Sequence, residues 1–173
     1  PQTKGGLHPS TQTLRKFYDI WADMGFQVFR SREVETDDMN FSMLNMPPHH
    51  PARDMQDTFF VKDKEEAVLR THTSPVQVRY MEKYGAPLRI IVPGRAFRNE
   101  ATDSTHEAQF FQVEGLYVDT NVSLAHLKGT LEHFFSEFYE RDITVRFRPG
   151  YFPFVEPGVE VDTWNLLLLG NKT

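Results

Sequence analysis

The 173-residue sequence contains no cysteine. This absence excludes a disulfide framework, a thiolate zinc site and a cysteine nucleophile, and it agrees with a reducing compartment. No apolar run approaches the roughly 20 residues that span a bilayer. Residues 1–10 also lack the charged and apolar regions of a signal peptide. We therefore expect a soluble, cytoplasmic protein without membrane contacts.

Phosphate-binding glycine loops and an excess of positive charge are missing as well. Neither a Walker-type string nor a GxGxxG pattern occurs, so a nucleotide would have to be bound in another way. The formal net charge is −5, from 19 Lys and Arg against 24 Asp and Glu. Any contact with nucleic acid must therefore be local or supplied by a partner.

The residues that are abundant favour a folded domain with a real core. Hydrophobic residues make up 39% of the chain and aromatic residues 13%, so some rings should fill the core and others line a ligand pocket. A domain usually holds on the order of 100–200 residues, so the length predicts a single domain over residues 1–173.

Hydrophobic periodicity predicts helices and strands in an α+β arrangement. Helices are predicted from Pro9 to Gly25, from an N-cap at Ser74 to Gly85, and over residues 124–138. Strands are predicted at 26–29, 59–61, 88–92, 110–118 and 143–147, with a turn at 62–66 and a long loop at 31–58. Because the strands outnumber the helices and short turns join many of them, we expect an antiparallel sheet flanked by helices.

The predicted strand at 110–118 carries polar residues among apolar neighbours. Alternation places Phe110, Gln112, Glu114 and Leu116 on one face. A buried carboxylate is costly unless it is paired or hydrogen-bonded, so this face is a candidate ligand surface. The other interpretation is a solvated outer face, which alternation alone favours.

A second candidate lies just upstream, where an extended backbone would place Arg98 and Glu100 on a common face. The fixed fork of an arginine suits phosphate or carboxylate. The polar segment 101–107 has the composition of a hairpin loop that closes over a charged substrate. A surface ion pair is the alternative interpretation.

Two prolines bracket a short aromatic run at residues 151–158. Because proline lacks a backbone donor, this run cannot be a central strand. It could form a rigid edge that holds Phe152 and Phe154 as walls of an apolar pocket, or it could be a turn that packs on the core.

Histidines raise the question of a metal site. His49, His50, His72 and His106 have carboxylates nearby in sequence, but none of them falls into a familiar ligand spacing such as paired histidines at i and i+4. A metal hydrolase using His49, His50 and His106 therefore stays a minor alternative.

Several of these strings, taken in order, resemble one family. They are RTHTSPVQ at 70–77, GRAFRNE at 94–100, THEAQFFQVEGL at 105–116 and FPFVEP at 152–157, and HHPARDMQDTF at 49–59 and LKGTL at 127–131 agree with them. From about His8 to Trp164 the sequence resembles the phenylalanine–tRNA ligase family. The resemblance is to the alpha (catalytic) subunit of the bacterial enzymes.

The resemblance implies a class II aminoacyl-tRNA synthetase catalytic core, an antiparallel sheet flanked by helices. Such an enzyme joins L-phenylalanine to ATP, with Mg²⁺, and passes the acyl group to tRNA(Phe) without a covalent enzyme intermediate. Catalysis would come from holding the carboxylate in line with the α-phosphate and offsetting the developing charge. A beta subunit is implied as partner, in an α2β2 heterotetramer, and as the site of editing.

On this resemblance, four residues would form the catalytic and ATP-binding part of the site. Arg98 would bridge the α-phosphate and the substrate carboxylate. Glu100 and His106 would lie in the ATP-binding hairpin, and Phe110 would stack against adenine.

The remaining implied site residues would bind phenylalanine and a metal ion. Gln112 and Glu114 would receive the ammonium group, His72 and Ser74 would complete the polar end, and Val113 belongs to the same substrate-binding stretch. Two aromatic residues, Phe152 and Phe154, would hold the phenyl ring edge to face. The carboxylate of Glu156 would take part in a magnesium site shared with the beta subunit.

The sequence departs from the family pattern at both ends. We expect it to lack the N-terminal helical hairpin and the C-terminal motif 3, and we expect the 173-residue chain alone to be inactive or nearly so. A non-catalytic paralogue that binds an amino acid or adenylate is the alternative. A phosphoserine–tRNA ligase is a further one, but it would need basic residues in place of Phe152 and Phe154.

Overall fold

The computed structural model describes residues 5–54, 57–100 and 107–164. The chain divides into two compact units. One consists of Pro1–Gly25 with Asn121–Thr173, and the other of Phe26–Thr120. We call them the outer unit and the central unit, names that refer only to their positions along the sequence. The prediction of a single domain over 1–173 stays a prediction.

Five helices and eight strands are formed by the described residues. The helices are α1 (Pro9–Asp23), α2 (Asp37–Asn40), α3 (Pro51–Asp54), α4 (Pro75–Tyr84) and α5 (Leu124–Tyr139), with a 3₁₀ turn at Ser42–Leu44. The strands are β1 (Gln27–Val28), β2 (Val34–Thr36), β3 (Phe60–Val61), β4 (Lys64–Leu69), β5 (Leu88–Phe97), β6 (Gln109–Val118), β7 (Thr144–Pro149) and β8 (Val159–Trp164). The predicted α+β class is confirmed.

The central unit contains two three-stranded sheets, in the orders β1-β5-β6 and β2-β4-β3. Strands β5 and β6 pair antiparallel along their whole length, from Leu88 opposite Val118 to Phe97 opposite Gln109. The pairing of β1 with β5 is parallel, so the predicted antiparallel sheet has one parallel neighbour.

The segments with strong periodicity fold as predicted. The first helix begins at Pro9, a residue favoured in a first helical turn, and buries Ile20 and Trp21. Val76 and Tyr80 of α4 are buried with three residues of β5: Leu88, Ile90 and Val92. One face of α4 thus covers the sheet that carries β6.

Two segments differ from their predicted structure. The predicted turn at 62–66 is shorter, because β4 already begins at Lys64 after a left-handed residue at Asp63. The predicted loop at 31–58 contains β2, α2, the 3₁₀ turn and α3. Strand β2 forms through its pairing with β4, from Val34 opposite Leu69 to Thr36 opposite Ala67, and such a long-range pairing leaves no periodic signal in the sequence.

The outer unit is built on aromatic packing between α1 and α5. Phe17 meets Phe134 and Phe138 edge to face, with centroid distances of 5.0 and 4.9 Å. Trp21 stacks on Phe134 at 4.8 Å. Strands β7 and β8 form a separate two-stranded sheet. Nowhere in the described ranges is there a helix both long and apolar enough to cross a membrane.

Candidate active site

The candidate site of the central unit lies on one face of β6. Register pairs place Phe110 opposite Ala96, Gln112 opposite Gly94 and Glu114 opposite Val92. Because side chains of a strand alternate between its two faces, Phe110, Gln112 and Glu114 share one face. The predicted strand and its polar face are therefore present.

Glu114 is held by the first turn of α4. Its Oε2 accepts hydrogen bonds from Ser74 Oγ and Gln77 Nε2, each at 2.7 Å. Burial raises the pKa of the Glu114 carboxyl, while the bonds from Ser74, Gln77 and Thr73 oppose that rise. A solvated outer face would produce neither the burial nor these partners, so this carboxylate belongs to a built polar site.

Ser74 does not cap its helix as the sequence predicts. It has helical backbone angles and no side-chain cap bond, since its hydroxyl donates to Glu114 instead. Gln77 was missed in the sequence analysis. The Ser-x-x-Gln spacing at 74–77 is a capping-box signature, and here both polar side chains of that pattern turn toward Glu114.

Gln112 is tied to the segment that precedes α4. Its Oε1 accepts a hydrogen bond from the backbone N–H of Thr73 at 3.1 Å. The side-chain amide is thus oriented by the backbone, and Gln112 and Glu114 both face the stretch from Thr73 to Gln77.

His72 is almost completely buried, with 4% of its surface exposed. The pKa of its imidazole is lowered to about 4, mainly by burial and also by the positive charges of Arg98 and Arg70, while a contact with the Asn40 backbone acts in the opposite direction. Among the described residues, neither ring nitrogen makes a hydrogen bond of ordinary geometry. His72 is therefore a neutral imidazole at physiological pH, able to donate or accept one hydrogen bond without adding charge.

Arg98 connects the end of β5 to this polar face. Its Nε donates to the carbonyl oxygen of Thr71 at 3.2 Å, and its guanidinium lies 5.1 Å from the centroid of the Phe110 ring. The Glu100 carboxylate is 4.0 Å from Arg98 Nη1. The structure therefore brings together Arg98, Glu100 and Phe110, whereas His106 lies outside the described residues.

A buried arginine that the sequence analysis did not single out lies beneath the site. Arg70 is 2% exposed, and its guanidinium donates to the carbonyl oxygens of Arg95 and Arg32. A side chain at Gly94 would collide with this guanidinium. Burial lowers the pKa of Arg70, against the raising effect of Glu33, Glu35 and Glu114. The close approach explains the glycine in the middle of β5.

The predicted aromatic walls lie in the outer unit. Phe152 and Phe154 have ring centroids 6.0 Å apart at an interplanar angle of 40°. Phe152 is half-buried and pairs with Val155 in an isolated bridge, while Phe154 is 48% exposed. The two rings are therefore adjacent, and one of them presents a large apolar area to solvent.

The remaining predicted residues give no evidence for a metal cluster. Glu156 is exposed and Val113 is half-buried on the opposite face of β6 from Gln112. Within residues 5–54, 57–100 and 107–164, no three His, Asp or Glu side chains come together as a metal site would require. The hydrolase alternative thus finds no support from His49 and His50.

Comparison with known proteins agrees with these features. Residues 1–172 match the model of the family described as "tRNA synthetases class II core domain (F)". The chain is 53% identical to the phenylalanine–tRNA ligase alpha subunit of Herpetosiphon aurantiacus over 162 residues, which cover 91% of this chain and 47% of that protein. It is 55% identical to the alpha subunit of Cellvibrio japonicus over 158 residues, covering 91% and 46%.

The fold is similar to that of solved synthetases. A pyrrolysyl-tRNA synthetase from Desulfitobacterium hafniense superposes with a TM-score of 0.65 at 18% identity, covering 95% of this chain and 56% of that one. The chain spans about half the length of the curated relatives it matches.

Proposed function

We propose, because the chain belongs to the class II tRNA synthetase core domain family (F), that it is the catalytic part of a phenylalanine–tRNA ligase alpha subunit. The observation that carries this proposal is the half-buried Glu114 carboxylate, whose Oε2 is fixed by Ser74 and Gln77 beside Gln112. The described hydrogen-bond donors to this carboxylate are neutral, so the cationic ammonium group of an amino acid would add a charged partner.

In the proposed reaction, a carboxylate oxygen of L-phenylalanine attacks the α-phosphorus of ATP. A new oxygen–phosphorus bond forms, the bond to the β-phosphate oxygen breaks, and pyrophosphate leaves. A ribose hydroxyl of tRNA(Phe) then attacks the acyl carbon, loses its proton and displaces AMP. The protein contributes positioning and charge stabilisation rather than a covalent nucleophile.

Glu114 and Gln112 would bind the substrate ammonium. A positive charge beside a buried carboxylate favours its ionised form and lowers its pKa, so binding would reverse the effect of burial on Glu114. Ser74 and His72 would complete the polar end. Because His72 is neutral, it adds no charge that would repel the ammonium group.

Arg98 would bind the α-phosphate together with the substrate carboxylate. A guanidinium can contact two oxygens at once, which suits a group shared between two anionic reactants. Thr71 fixes one side of this guanidinium. Glu100 and His106 would complete the ATP-binding hairpin, with Phe110 under the adenine ring.

Phe152 and Phe154 would contact the phenyl ring of the substrate. Edge-to-face contacts between aromatic rings are a preferred geometry. A hydrophobic pocket rejects an added hydroxyl only weakly, by about a hundredfold. Discrimination against tyrosine would therefore need editing, which we assign to a beta subunit in an α2β2 enzyme of the cytoplasm.

Glu156 fits a role as one ligand of Mg²⁺. It is exposed, and magnesium commonly takes one or two protein carboxylates while its other ligands are waters and substrate phosphates. The ion, when bound, would neutralise part of the phosphate charge. We propose that the partner subunit and the substrates supply the other ligands.

The decisive experiment is ATP–pyrophosphate exchange by the complete enzyme that contains this chain, assembled with its beta subunit. Phenylalanine should support exchange, while serine should not and tyrosine should do so only weakly. Arg98→Ala and Phe154→Ala should abolish or strongly reduce the exchange. Matched controls are Arg89→Ala, an exposed arginine of β5, and Phe111→Ala, an exposed ring on the opposite face of β6.

A binding experiment separates an enzyme from a non-catalytic paralogue. A thermal-shift titration with a non-hydrolysable phenylalanyl-adenylate analogue detects binding to the folded state, beside tyrosyl and seryl analogues. A selective shift together with exchange supports the ligase. A selective shift without exchange by the complete enzyme would show a non-catalytic paralogue, and no shift with any analogue would contradict the proposed pocket.

A further inference from the structure

Asn40, at the end of α2, is completely buried and has two hydrogen bonds to a single residue. Its Nδ2 donates to Thr71 Oγ1 at 3.0 Å, and its Oδ1 accepts from the Thr71 backbone N–H at 3.3 Å. Both residues are 0% exposed. A buried amide is retained at low cost only when its donor and acceptor are both used, and Thr71 uses both.

Thr71 carries the effect of Asn40 to the candidate catalytic arginine. The carbonyl oxygen of Thr71 accepts the hydrogen bond from Arg98 Nε at 3.2 Å. The amide of Asn40 thus fixes the backbone N–H and the hydroxyl of Thr71. The carbonyl oxygen of Thr71 in turn orients Arg98. The next residue in the chain is His72, and a contact with the backbone of Asn40 acts to raise the pKa of its imidazole.

The segment around Asn40 is held by Arg53. Helix α2 has only four residues and is capped by Thr36 Oγ1, and so short a helix has little stability of its own. Arg53 Nη1 contacts both carboxylate oxygens of Asp37, at 2.8 and 3.0 Å. Its Nε donates to the carbonyl oxygen of Met46 at 2.9 Å. The same guanidinium lies over the Phe41 ring at 4.5 Å.

We propose that Asn40 is a positioning residue for adenylate formation, acting through the Thr71 peptide on the guanidinium of Arg98. This inference rests on the proposed function, because it assigns Arg98 to the reacting phosphate. It also gives a role to the segment 36–53, which brackets Asn40 and has no cluster of metal-binding side chains among its described residues.

A double-mutant cycle in the exchange reaction tests the inference. In the complete enzyme, Asn40→Ala should lower kcat by about tenfold or more, which corresponds to 1.36 kcal/mol or more of activation free energy. The KM for phenylalanine should change less, since Glu114 and Gln112 on β6 would still bind its ammonium group and only the contact of its carboxylate with Arg98 would be weakened. In an Arg98→Lys background, which lacks Nε, the same Asn40→Ala change should lower kcat by less than about twofold.

Two further variants keep the test informative if Asn40→Ala is poorly folded. Thr71→Val removes the hydroxyl that accepts from Asn40 Nδ2 but leaves the peptide groups of Thr71 intact, and it should lower kcat by about two- to fivefold with little change in KM. Asn45→Gly is the matched control, because Asn45 is exposed in the same segment and has a left-handed backbone, φ 62°, that glycine also adopts. It should leave kcat unchanged.

The outcomes distinguish this inference from the proposed function. An equal loss of kcat from Asn40→Ala in the wild-type and Arg98→Lys backgrounds would overturn the positioning role. So would an unchanged kcat for Asn40→Ala and Thr71→Val in folded enzyme. Absence of phenylalanine-dependent exchange by the wild-type enzyme would instead contradict the proposed function, and the cycle would then be measured with the amino acid that does support exchange.

Discussion

The two compact units bury different kinds of side chain. Among the described residues, all the buried polar or charged ones lie in the central unit: Glu35, Asn40, Arg70, Thr71, His72 and Thr73. The buried residues of the outer unit are apolar: Ile20, Trp21, Phe134, Ile143 and Val145. The outer unit is therefore stabilised by apolar area, and the central unit depends in addition on hydrogen bonds.

This difference shows where chemistry constrains the choice of residues. A buried polar group gains little net stability and is costly when a partner is lost, so its presence needs a reason beyond the stability of the fold. In the central unit four of these six groups are contiguous at 70–73 and border Glu114 and Arg98. Substitutions in the outer unit should therefore affect stability, and those at the polar site should affect activity or pH dependence.

The largest effect on stability is expected from Phe134→Ala in the outer unit. Phe134 contacts Phe17, Trp21, Phe135 and Phe138, and truncation of such a ring leaves a cavity. The free energy of unfolding should fall by about 3–5 kcal/mol, measured by urea denaturation. Tyr139→Ala, at the exposed end of the same helix, should cost about 1 kcal/mol or less. Equal losses for the two would contradict the core position of Phe134.

The next effect is a pH dependence that His72 introduces into the central unit. Its pKa is about 4 in the folded protein against 6.5 in the unfolded chain, so the unfolded state binds more protons between these values. The contribution of His72 to the free energy of unfolding should be complete above pH 6.5. It should decrease by on the order of 3 kcal/mol as pH falls toward 4.

Substitution of single histidines isolates this dependence. Urea denaturation of His72→Asn between pH 4 and 7 should show a smaller slope of stability with pH. The exposed His133 provides the control, and His133→Asn should keep the wild-type slope. An unchanged slope for His72→Asn would show that another group titrates.

Glu114→Gln should separate activity from stability. Loss of a charge-assisted contact to the substrate ammonium, of about 1.5–3 kcal/mol, should lower kcat/KM for phenylalanine by about 10- to 100-fold. Because burial raises the pKa of Glu114, its charged form destabilises the folded state at neutral pH, and that contribution grows as pH rises through the folded pKa. The midpoint of thermal unfolding at pH 7 should therefore not fall.

A matched variant on the neighbouring helix controls for the loss of a charge alone. Glu82→Gln, on the exposed side of α4, should change neither kcat/KM nor the midpoint. A drop in the midpoint for Glu114→Gln with normal kcat/KM would show that Glu114 supports the fold rather than the activity. It would contradict the expectation that substitutions at the polar site affect activity and those in the outer unit affect stability.

The smallest effect is expected from the surface ion pairs of the outer unit. Asp162 accepts from Arg146 and Arg148 across β7 and β8, at 2.7 Å each, and these pairs lower the pKa of its carboxyl. Because exposed ion pairs contribute little to stability, Asp162→Asn should leave the thermal midpoint unchanged at physiological salt. A clear drop, measured by the same denaturation, would show that polar contacts support this unit too.

Much of the fold could be predicted from local patterns. The apolar face of α1, the proline and glycine that bracket α4, and the alternation along β6 are signals carried by neighbouring residues. The common face of Phe110, Gln112 and Glu114 follows from the two-residue period of a strand. Strand β2 could not be predicted in this way, because its pairing with the distant strand β4 forms it. Helix α2 has a local cap at Thr36, but its four residues are too few to show a helical period.

The periodic elements, the polar face of β6 and the resemblance to one enzyme family can therefore be predicted from the order of residues alone. The pairing of the polar side chains, in contrast, is set by the folded chain. Ser74 and Gln77 bond to Glu114, 40 and 37 positions away, and Asn40 reaches Thr71 over 31 positions. A cap pattern specifies which side chains can donate, but the acceptor is the one that folding brings within hydrogen-bond distance, and burial then makes that partner obligatory.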